Sequence, residues 1–272
     1  MRRLKILLFW LFFNKNNVSL KELIDFLLKP QVHKIAQRYI TKIEKSEFYE
    51  ISFNTIPNTL FWPLEFPIEG VNQVTAETFD VDDWHYYQKE KTIIEKDEYL
   101  LDIGTAEGLF PLSVIDKCKH IVMIEPSSKF YKTLHKTFAS FQDKVTIHKT
   151  AIGDYDGDVF FEEDSLIGQI STTNSSTDNK TTIRKIDTLI DENQKITYLK
   201  ADIEGFEQEM LKGAENTIKR NKPRIAITTY HTENDPDEII NLIKSYVPEY
   251  KHYVKGIFTE KSKPVMIHFW IE

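Results

Sequence analysis

The chain has 272 residues, of which 41% are hydrophobic and 28% are charged, and this length allows one large core with an appendage or two small domains. The formal net charge is −7, which argues against a general affinity for nucleic acid, since such affinity usually shows as a basic patch. The single cysteine, Cys118, excludes an intramolecular disulfide and agrees with a cytoplasmic location.

The N-terminus, residues 1–13, combines two arginines and a lysine with an apolar run from Ile6 to Phe13. A membrane-spanning helix takes about 20 apolar residues, so this run is too short to span. We expect a packed helix or strand, and a subunit interface in a homo-oligomer is one use for it. The alternative is contact with a membrane, which would place the protein at the inner membrane surface.

The segments that follow read first as helical and then as irregular. Ser19 is expected to cap a helix over 20–29 that Pro30 ends, and a second helix is predicted over 31–45. Residues 49–82 mix three prolines with aromatic and β-forming residues, which indicates short strands in an irregular region. Residues 1–90 therefore form an N-terminal helical and aromatic extension, expected to serve dimerisation or to cover the substrate.

From residue 91 onward, short apolar strands alternate with helices. The predicted strands of the main sheet are 99–103, 120–124, 144–149, 196–201, 224–230, 250–254 and 264–271, and the predicted helices are 109–117, 129–141, 206–220 and 236–246. Two further strands, 158–162 and 181–186, flank a polar loop at 171–180. Alternation of this kind is typical of a doubly wound α/β fold with a mostly parallel sheet. Because no helix separates the last two strands, they are expected to close the seven-stranded sheet as an antiparallel hairpin.

The stretch 100–110 places Asp102, Gly104 and Gly108 between the first strand and the first helix of this domain. In open α/β sheets, ligands bind at the carboxyl ends of the strands. Glycines let the backbone approach a ligand closely, and the helix that begins near Glu107 turns its free N–H groups to the same place. A carboxylate at position 102 would repel a diphosphate and suits a ligand that carries an ammonium group or hydroxyls.

The second strand of the domain ends in Glu125 and Pro126, 23 positions after Asp102. An acidic residue one βαβ unit after a glycine-rich turn commonly accepts hydrogen bonds from ribose hydroxyls. The first turn has the spacing Asp-x-Gly-x-x-x-Gly, whereas nicotinamide-dependent oxidoreductases carry Gly-x-Gly-x-x-Gly. The two motifs together indicate a nucleoside-type cofactor and disfavour an oxidoreductase.

Five motifs in this order and spacing resemble the FkbM family of S-adenosylmethionine-dependent methyltransferases, and the resemblance covers residues 95–271. They are Asp-Ile-Gly-x-x-x-Gly at 102–108, Ile-Glu-Pro-Ser at 124–127, Thr-Ala-Ile-Gly-Asp-Tyr-Asp-Gly at 150–157, Leu-Lys-Ala-Asp-Ile-Glu-Gly-Phe-Glu at 199–207 and Leu-Lys-Gly-Ala at 211–214. The fourth is the most family-specific, and the Tyr-His pair at 230 and 231 resembles a bacterial branch. The turn departs from the family at 105–107, where Ala-Asn-x is commoner.

The resemblance implies a class I, Rossmann-like methyltransferase fold, with S-adenosylmethionine as cofactor and a hydroxyl oxygen as acceptor. The implied acceptor is a sugar, as part of a nucleotide-linked sugar or of a surface-polysaccharide precursor. The cofactor-binding residues that it implies are Asp102, Gly104, Thr105, Gly108, Glu125, Pro126, Ala151, Ile152 and Asp202. Two other functions stay open: methylation of a lipid or secondary metabolite, and a non-catalytic interaction protein that binds the cofactor.

Methyl transfer to a hydroxyl is helped by a base that removes the proton. His231 ends a predicted strand at the ligand-binding edge, and its usual pKa of about 6.5 suits that task. Asp202 is the second catalytic candidate, and Lys200, Glu204 and Tyr230 are the candidate substrate contacts. Asp202, Glu204, His231 and Asp235 also offer ligands for Mg²⁺ or Mn²⁺, a divalent-metal alternative that is not favoured because they come from two loops.

Overall fold

The computed structural model describes residues 2–89, 91–162, 169–171, 179–231, 234–259 and 262–272. The N-terminus begins with two helices, α1 (Arg2–Phe12) and α2 (Leu20–Leu28). Ser19 caps α2, because its hydroxyl accepts the Glu22 N–H while the Glu22 carboxylate accepts the Ser19 N–H. The predicted helical character of this segment is confirmed.

The predicted helix over 31–45 was wrong. A short helix, α3 (Val32–Ala36), is followed by a strand, β1 (Ile40–Lys45), which pairs antiparallel with β2 (Tyr49–Phe53). β2 pairs in turn with β3 (Leu60–Trp62), so the extension contains a three-stranded sheet. β1 contains Ile40, Thr41 and Ile43, and such β-branched side chains favour a strand when a partner strand is available.

A helix that the sequence did not suggest lies in the region predicted to be irregular. It is α4 (Gly70–Phe79), and it buries Val71, Thr75, Ala76 and Thr78. The β-branched valines and threonines of this segment have low helix propensity, so the sequence did not predict a helix here. The burial of one of its faces supplies the stabilisation that propensity does not.

The rest of the chain forms an α/β unit. Its strands are β4 (Glu98–Ile103), β5 (Cys118–Ile124), β6 (Val145–His148), β7 (Ala151–Ile152), β8 (Gly157–Glu162), β9 (Gln169–Ser171), β10 (Asn179–Arg184), β11 (Tyr198–Ala201), β12 (Arg224–Thr228), β13 (Lys251–Lys255) and β14 (Met266–Trp270). Its helices are α5 (Leu109–Val114), α6 (Ser128–Thr137), α7 (Ile186–Leu189), α8 (Glu207–Lys212), α9 (Glu215–Asn221) and α10 (Pro236–Tyr246), with a 3₁₀ turn at Ala139–Phe141.

The main sheet has seven strands in the order β13-β14-β12-β11-β4-β5-β6. The pairs within β12-β11-β4-β5-β6 are parallel, whereas β14 pairs antiparallel with both β12 and β13. This arrangement confirms the predicted mostly parallel sheet that closes in a hairpin. The strand order reverses beside β4, so the carboxyl ends of β4 and β11 border the expected ligand site.

Two details differ from the predicted pattern. The predicted helix 206–220 is divided into α8 and α9 at Gly213, where a Cβ atom would lie 2.1 Å from the Gly153 carbonyl oxygen. β7, β8, β9 and β10 form a separate four-stranded sheet in the order β7-β10-β8-β9. Most of the loop predicted at 171–180 lies outside the described residues.

Both faces of the main sheet are covered. Leu100 belongs to a core shared with Trp62, Trp84 and Tyr87 of the extension, whereas its neighbour Leu101 belongs to the core on the other face. Consecutive strand residues point to opposite faces, which accounts for this division. The extension therefore packs directly on the sheet. Within the described part of the chain, no helix is long and apolar enough to cross a membrane.

Candidate active site

The glycine-rich turn after β4 lies against the loop after β11. Gly104 has φ +70°, and a Cβ atom there would lie 1.9 Å from the Asp202 carbonyl oxygen. Gly108 has φ +86°, and a Cβ atom there would meet the side chain of Leu134 at 2.6 Å. Both positions need glycine, because φ is positive and because no space is left for a Cβ atom. The turn is tied to β5, since the Gly104 and Thr105 N–H groups both donate to the Ile124 carbonyl.

Glu125 follows β5 and faces this turn. Its two carboxylate oxygens accept the N–H groups of Ala106 and Ser127, each at 2.8 Å. The side chain is buried, and burial raises the pKa of Glu125 to about 7 in spite of these hydrogen bonds. A buried carboxylate of this kind is stabilised by further hydrogen-bond donors.

Asp102 and Lys200 form a buried ion pair beneath the turn. The Lys200 Nζ lies 3.1 Å from Asp102 Oδ1 and donates to the Gly104 carbonyl at 2.6 Å. Burial lowers the pKa of Lys200, but the nearby Asp102 and Asp202 outweigh it and leave the pKa raised. The ammonium group therefore ties the ends of β4 and β11 together. Asp102 itself is fully buried and does not face the adjoining cavity.

Asp202 is the centre of the polar network beyond β11. Its Oδ2 accepts the Tyr87 hydroxyl at 2.8 Å and lies 3.3 Å from His85 Nε2, and its Oδ1 accepts the Thr228 hydroxyl at 3.0 Å. Burial alone would raise the pKa of Asp202, but His85 and Lys200 hold it well below its usual range. Asp202 is therefore ionised at neutral pH.

His85 comes from the extension and is buried between two carboxylates. Its Nδ1 lies 3.8 Å from Glu77 Oε2 of α4, opposite the Asp202 contact. Burial disfavours the imidazolium, but Glu77 and Asp202 outweigh it and raise the pKa of His85 to about 9. The extension thus supplies a cation that stabilises the Asp202 carboxylate.

His231 follows β12 and is also held between carboxylates. Its Nε2 lies 2.9 Å from Glu204 Oε2, and its Nδ1 lies 3.3 Å from Glu207 Oε1. Burial disfavours the charged ring, but these carboxylates outweigh it and raise the pKa of His231 to about 10. The ring is therefore protonated at neutral pH in this state, which differs from the free base that the sequence suggested.

Glu207 holds the loop between β11 and α8 in place. Its buried carboxylate accepts the Ile203 N–H at 3.0 Å on Oε1, and the Gly205 N–H and the Asn234 amide on Oε2. The Thr228 hydroxyl lies 3.0 Å from both Glu207 Oε1 and Asp202 Oδ1, and its one proton is shared between the two carboxylates. This loop includes Glu204, whose φ of +56° is unusual for a residue other than glycine. The hydrogen bonds of Glu207 stabilise that conformation.

The four residues of the unfavoured divalent-metal alternative do not form one cluster. Asp235 caps α10 by accepting the Asp237 N–H. Among the described residues, the cluster with metal-like spacing is instead Asp202, Glu207 and His231. Because three N–H donors already bind Glu207, this cluster is better explained as a hydrogen-bond network than as an ion site. Asp235 therefore serves as a helix cap and lies outside this cluster.

A cavity of about 760 Å³ lies between the turn, the Asp202 network and the extension, a size typical of a cofactor or ligand site. Among the predicted site residues, Gly104, Thr105, Lys200, Asp202, Glu204, Tyr230 and His231 line it. Gly108, Glu125 and Pro126 lie behind the turn and do not line the cavity, and neither do Ala151 and Ile152, which are buried in β7. The structure therefore brings the proposed catalytic residues together and leaves the β7 contacts outside.

Four residues that contribute to this cavity had no role predicted from the sequence: Glu77, Tyr87, Glu107 and Phe130. Glu107 is buried behind the N-terminal end of α5, and burial raises its pKa to about 7. Glu207 stood in the quoted motif without a role, so a search for the partners of that motif would have found it. The sequence positions of Glu77 and Tyr87 do not indicate that these residues lie near Asp202 in the fold.

The pH dependence of stability should report the His231 contacts. The pKa of about 10 lies above the ordinary value of 6.5, so the stabilisation is fully present below about pH 6.5 and is lost as pH rises through about 10. We expect the free-energy difference of unfolding between wild type and His231→Gln to shrink by at least about 1 kcal/mol between pH 7 and 10.5, the equivalent of roughly one pKa unit.

Chemical denaturation at a series of pH values measures this difference. His252→Gln is the matched control, because the pKa of His252 is lowered by burial and its contribution does not change above pH 7. A His231→Gln difference that stays constant from pH 7 to 10.5 would show that the ring is not held by Glu204 and Glu207.

Comparison with known proteins agrees with this geometry. The family model described as the methyltransferase FkbM domain matches residues 102–250. The hexuronic acid methyltransferase AglP of Haloferax volcanii is 27% identical over 153 residues, which cover 55% of this chain and 62% of that protein. The matched region includes all parts of the site that follow β4: the glycine-rich turn, Glu125, the Asp202 loop and the Tyr230–His231 pair.

Among solved structures, the methyltransferase FkbM from Methylobacillus flagellatus is similar, with a TM-score of 0.54 and 20% sequence identity. The similarity covers 91% of this chain and 60% of that one, and it shows a shared fold. The chain thus spans about three fifths of the length of each of these two relatives.

Proposed function

This chain belongs to the FkbM methyltransferase family, and from that premise we propose that it transfers a methyl group from S-adenosylmethionine to a sugar hydroxyl. The observation that carries the proposal is the meeting of His231, Asp202 and the Gly104 turn around one cavity. The relative from Haloferax volcanii is named for a hexuronic acid, so acidic sugars and their nucleotide-linked forms are the first acceptors to test.

The residues of the cavity fit the proposed cofactor. Glu125 does not line the cavity itself, but its buried carboxylate reaches the turn that does, and we propose that it accepts the ribose hydroxyls there. Asp202 and Glu107 place acidic groups at the cavity, which suits the positive ammonium and sulfonium groups of S-adenosylmethionine. When bound, that cofactor supplies an activated methyl group and a neutral thioether as leaving group.

The part left to the protein is to position the acceptor hydroxyl and remove its proton. His231 is the proposed base, and Glu204 and Glu207 orient its ring. A positive charge beside Asp202 disfavours the imidazolium, so occupation of the site by a cation lowers the pKa of His231 toward neutrality. Tyr230 lies against His231 with ring centroids 4.2 Å apart and supplies an aromatic face for a sugar ring.

We expect His231→Asn to reduce turnover by about 100-fold or more, the usual contribution of a general base, with little change in the Michaelis constant for S-adenosylmethionine. The assay measures S-adenosylhomocysteine release with a panel of uronic acids and nucleotide-linked sugars. His135→Asn is the control, because His135 is exposed on α6 and lies outside the cavity. Full activity of His231→Asn with an accepted sugar would exclude His231 as the base.

A further inference from the structure

The first two helices form an antiparallel hairpin on the surface of the molecule. The Trp10 indole on α1 donates to the Val18 carbonyl just before α2, at 2.7 Å. At the other end, the Arg3 guanidinium donates to the Leu27 carbonyl at 2.7 Å and also to the Lys29 carbonyl. These contacts fix α1 beside α2.

Each helix of this hairpin is apolar on two sides. On α1, Ile6 is buried, and on α2, Leu23 is 1% exposed, so one side of each helix already faces the core. A surface helix normally carries polar residues on its other side. Here the other side remains apolar at helical spacing, with 45–77% exposure at Leu4, Leu8, Leu11, Phe12, Leu20, Ile24 and Leu28. We call these seven residues the α1–α2 face, and a contiguous exposed apolar surface of this kind marks a contact site.

The charge around the α1–α2 face is opposite to that of the whole protein. Residues 1–21 contain five cations, Arg2, Arg3, Lys5, Lys15 and Lys21, and no acidic residue, whereas the whole chain has a net charge of −7. On α2, the Glu22 carboxylate pairs with Lys255, which leaves Asp25 as the one unpaired acid of that helix. Basic charge next to an apolar helix face is the pattern of helices that lie in a membrane interface.

We propose that the α1–α2 face docks the protein on an anionic lipid surface, with the apolar side chains in the interface and the lysines and arginines against the headgroups. A second copy of this chain fits less well. A two-fold dimer would place the same basic face against itself and bring like charges together. An anionic lipid surface instead complements both the apolar stripe and the cations.

Docking in this way would set a second cavity beside the lipid. This cavity, of about 660 Å³, is lined by Arg2, Arg3 and Phe26 of the hairpin. It shares Gln73, Glu77, Tyr230 and Phe258 with the cavity at Asp202. The hairpin thus connects the docking surface to the residues around the active site. This connection matters only if the proposed function holds, whereas the docking itself does not depend on that function.

The test is sedimentation of the full-length protein with lipid vesicles. One set of vesicles contains phosphatidylglycerol in phosphatidylcholine, and the other is phosphatidylcholine alone. We expect binding to the anionic vesicles that falls with added salt, and weak binding to the neutral ones. Replacing Leu8 and Leu11 together with Gln should reduce the partition coefficient at least tenfold, and Lys5→Gln should reduce it about fivefold.

The matched control is Ile93→Gln, because Ile93 is 48% exposed but lies outside the α1–α2 face. The thermal midpoints of all variants are compared, so that unfolding is not mistaken for lost binding. Equal binding to neutral vesicles, no binding, or binding that the Leu8 and Leu11 replacements leave unchanged would overturn the proposal. A dimer in sedimentation velocity that these replacements dissociate, without vesicle binding, would assign the face to a second copy instead. None of these results depends on methyl transfer.

Discussion

Gly104→Ala is expected to give the largest loss of both stability and cofactor binding. The added Cβ would lie 1.9 Å from the Asp202 carbonyl oxygen and 2.8 Å from the Ile203 side chain. Position 104 also has φ +70°, which costs a residue with a side chain about 1 kcal/mol or more. Because the obstacle is backbone, the loops after β4 and β11 must separate. We expect a loss of more than about 3 kcal/mol in the free energy of unfolding.

Urea denaturation and calorimetric titration with S-adenosylhomocysteine measure the two effects of Gly104→Ala. Gly157→Ala is the control, because among the residues that the structure describes its Cβ would meet only the flexible Tyr155 side chain, at 3.3 Å. We expect this variant to stay within about 1 kcal/mol of wild type. Wild-type stability and affinity in Gly104→Ala would mean that the two loops are not in close contact.

Asp202→Asn is expected to give the second large effect, a loss of turnover of about 1,000-fold in a folded protein. The amide keeps the shape of the carboxylate but removes the negative charge that pairs with His85. The asparagine side chain has one oxygen in place of two, so it cannot accept hydrogen bonds from both the Tyr87 and the Thr228 hydroxyls. Its NH₂ group would instead face one of these donors. Loss of this charge removes the electrostatic support of a cationic cofactor and of the neighbouring imidazoliums.

Asp235→Asn is the matched control for Asp202→Asn. Asp235 caps α10, and asparagine caps helices about as well as aspartate, so turnover should change little. Initial rates with an accepted sugar and the thermal midpoint are measured for both variants. If Asp202→Asn is as active as wild type, the network at the end of β11 is structural and the catalytic assignment of Asp202 fails.

The sequence predicted the α/β part of the fold well because its signals are local. Apolar strands, glycine turns and the interval between Asp102 and Glu125 each depend on neighbouring residues, and the observed sheet order agrees with them. The need for glycine at position 104 could be predicted because the tight turn from strand to helix itself imposes the positive φ of this residue. β12 ends at Thr228, two residues before the predicted end, and His231 still lies at the predicted edge of the sheet, where it lines the cavity.

What the sequence could not predict depends on contacts between distant segments. β1 is a strand because β2 pairs with it, and α4 forms because its apolar face is buried. His85 contacts Asp202 although the two residues are 117 positions apart in the sequence, and no sequence motif predicts this contact. The high pKa of His231 likewise arises from Glu204 and Glu207, which the folded loop brings to the ring. Tertiary contacts, rather than local propensity, decide these features.

We propose that the turn at 102–108, together with Glu125 behind it, binds S-adenosylmethionine. The most direct measurement is calorimetric titration of the full-length protein with S-adenosylhomocysteine, repeated with Glu125→Gln. Because the pKa of Glu125 is about 7 and its ionised form accepts more hydrogen bonds, wild-type affinity should rise as pH increases from 6 to 8. We predict micromolar binding by wild type and at least tenfold weaker binding, without this pH dependence, by Glu125→Gln. No binding by the folded wild-type protein would contradict the claim.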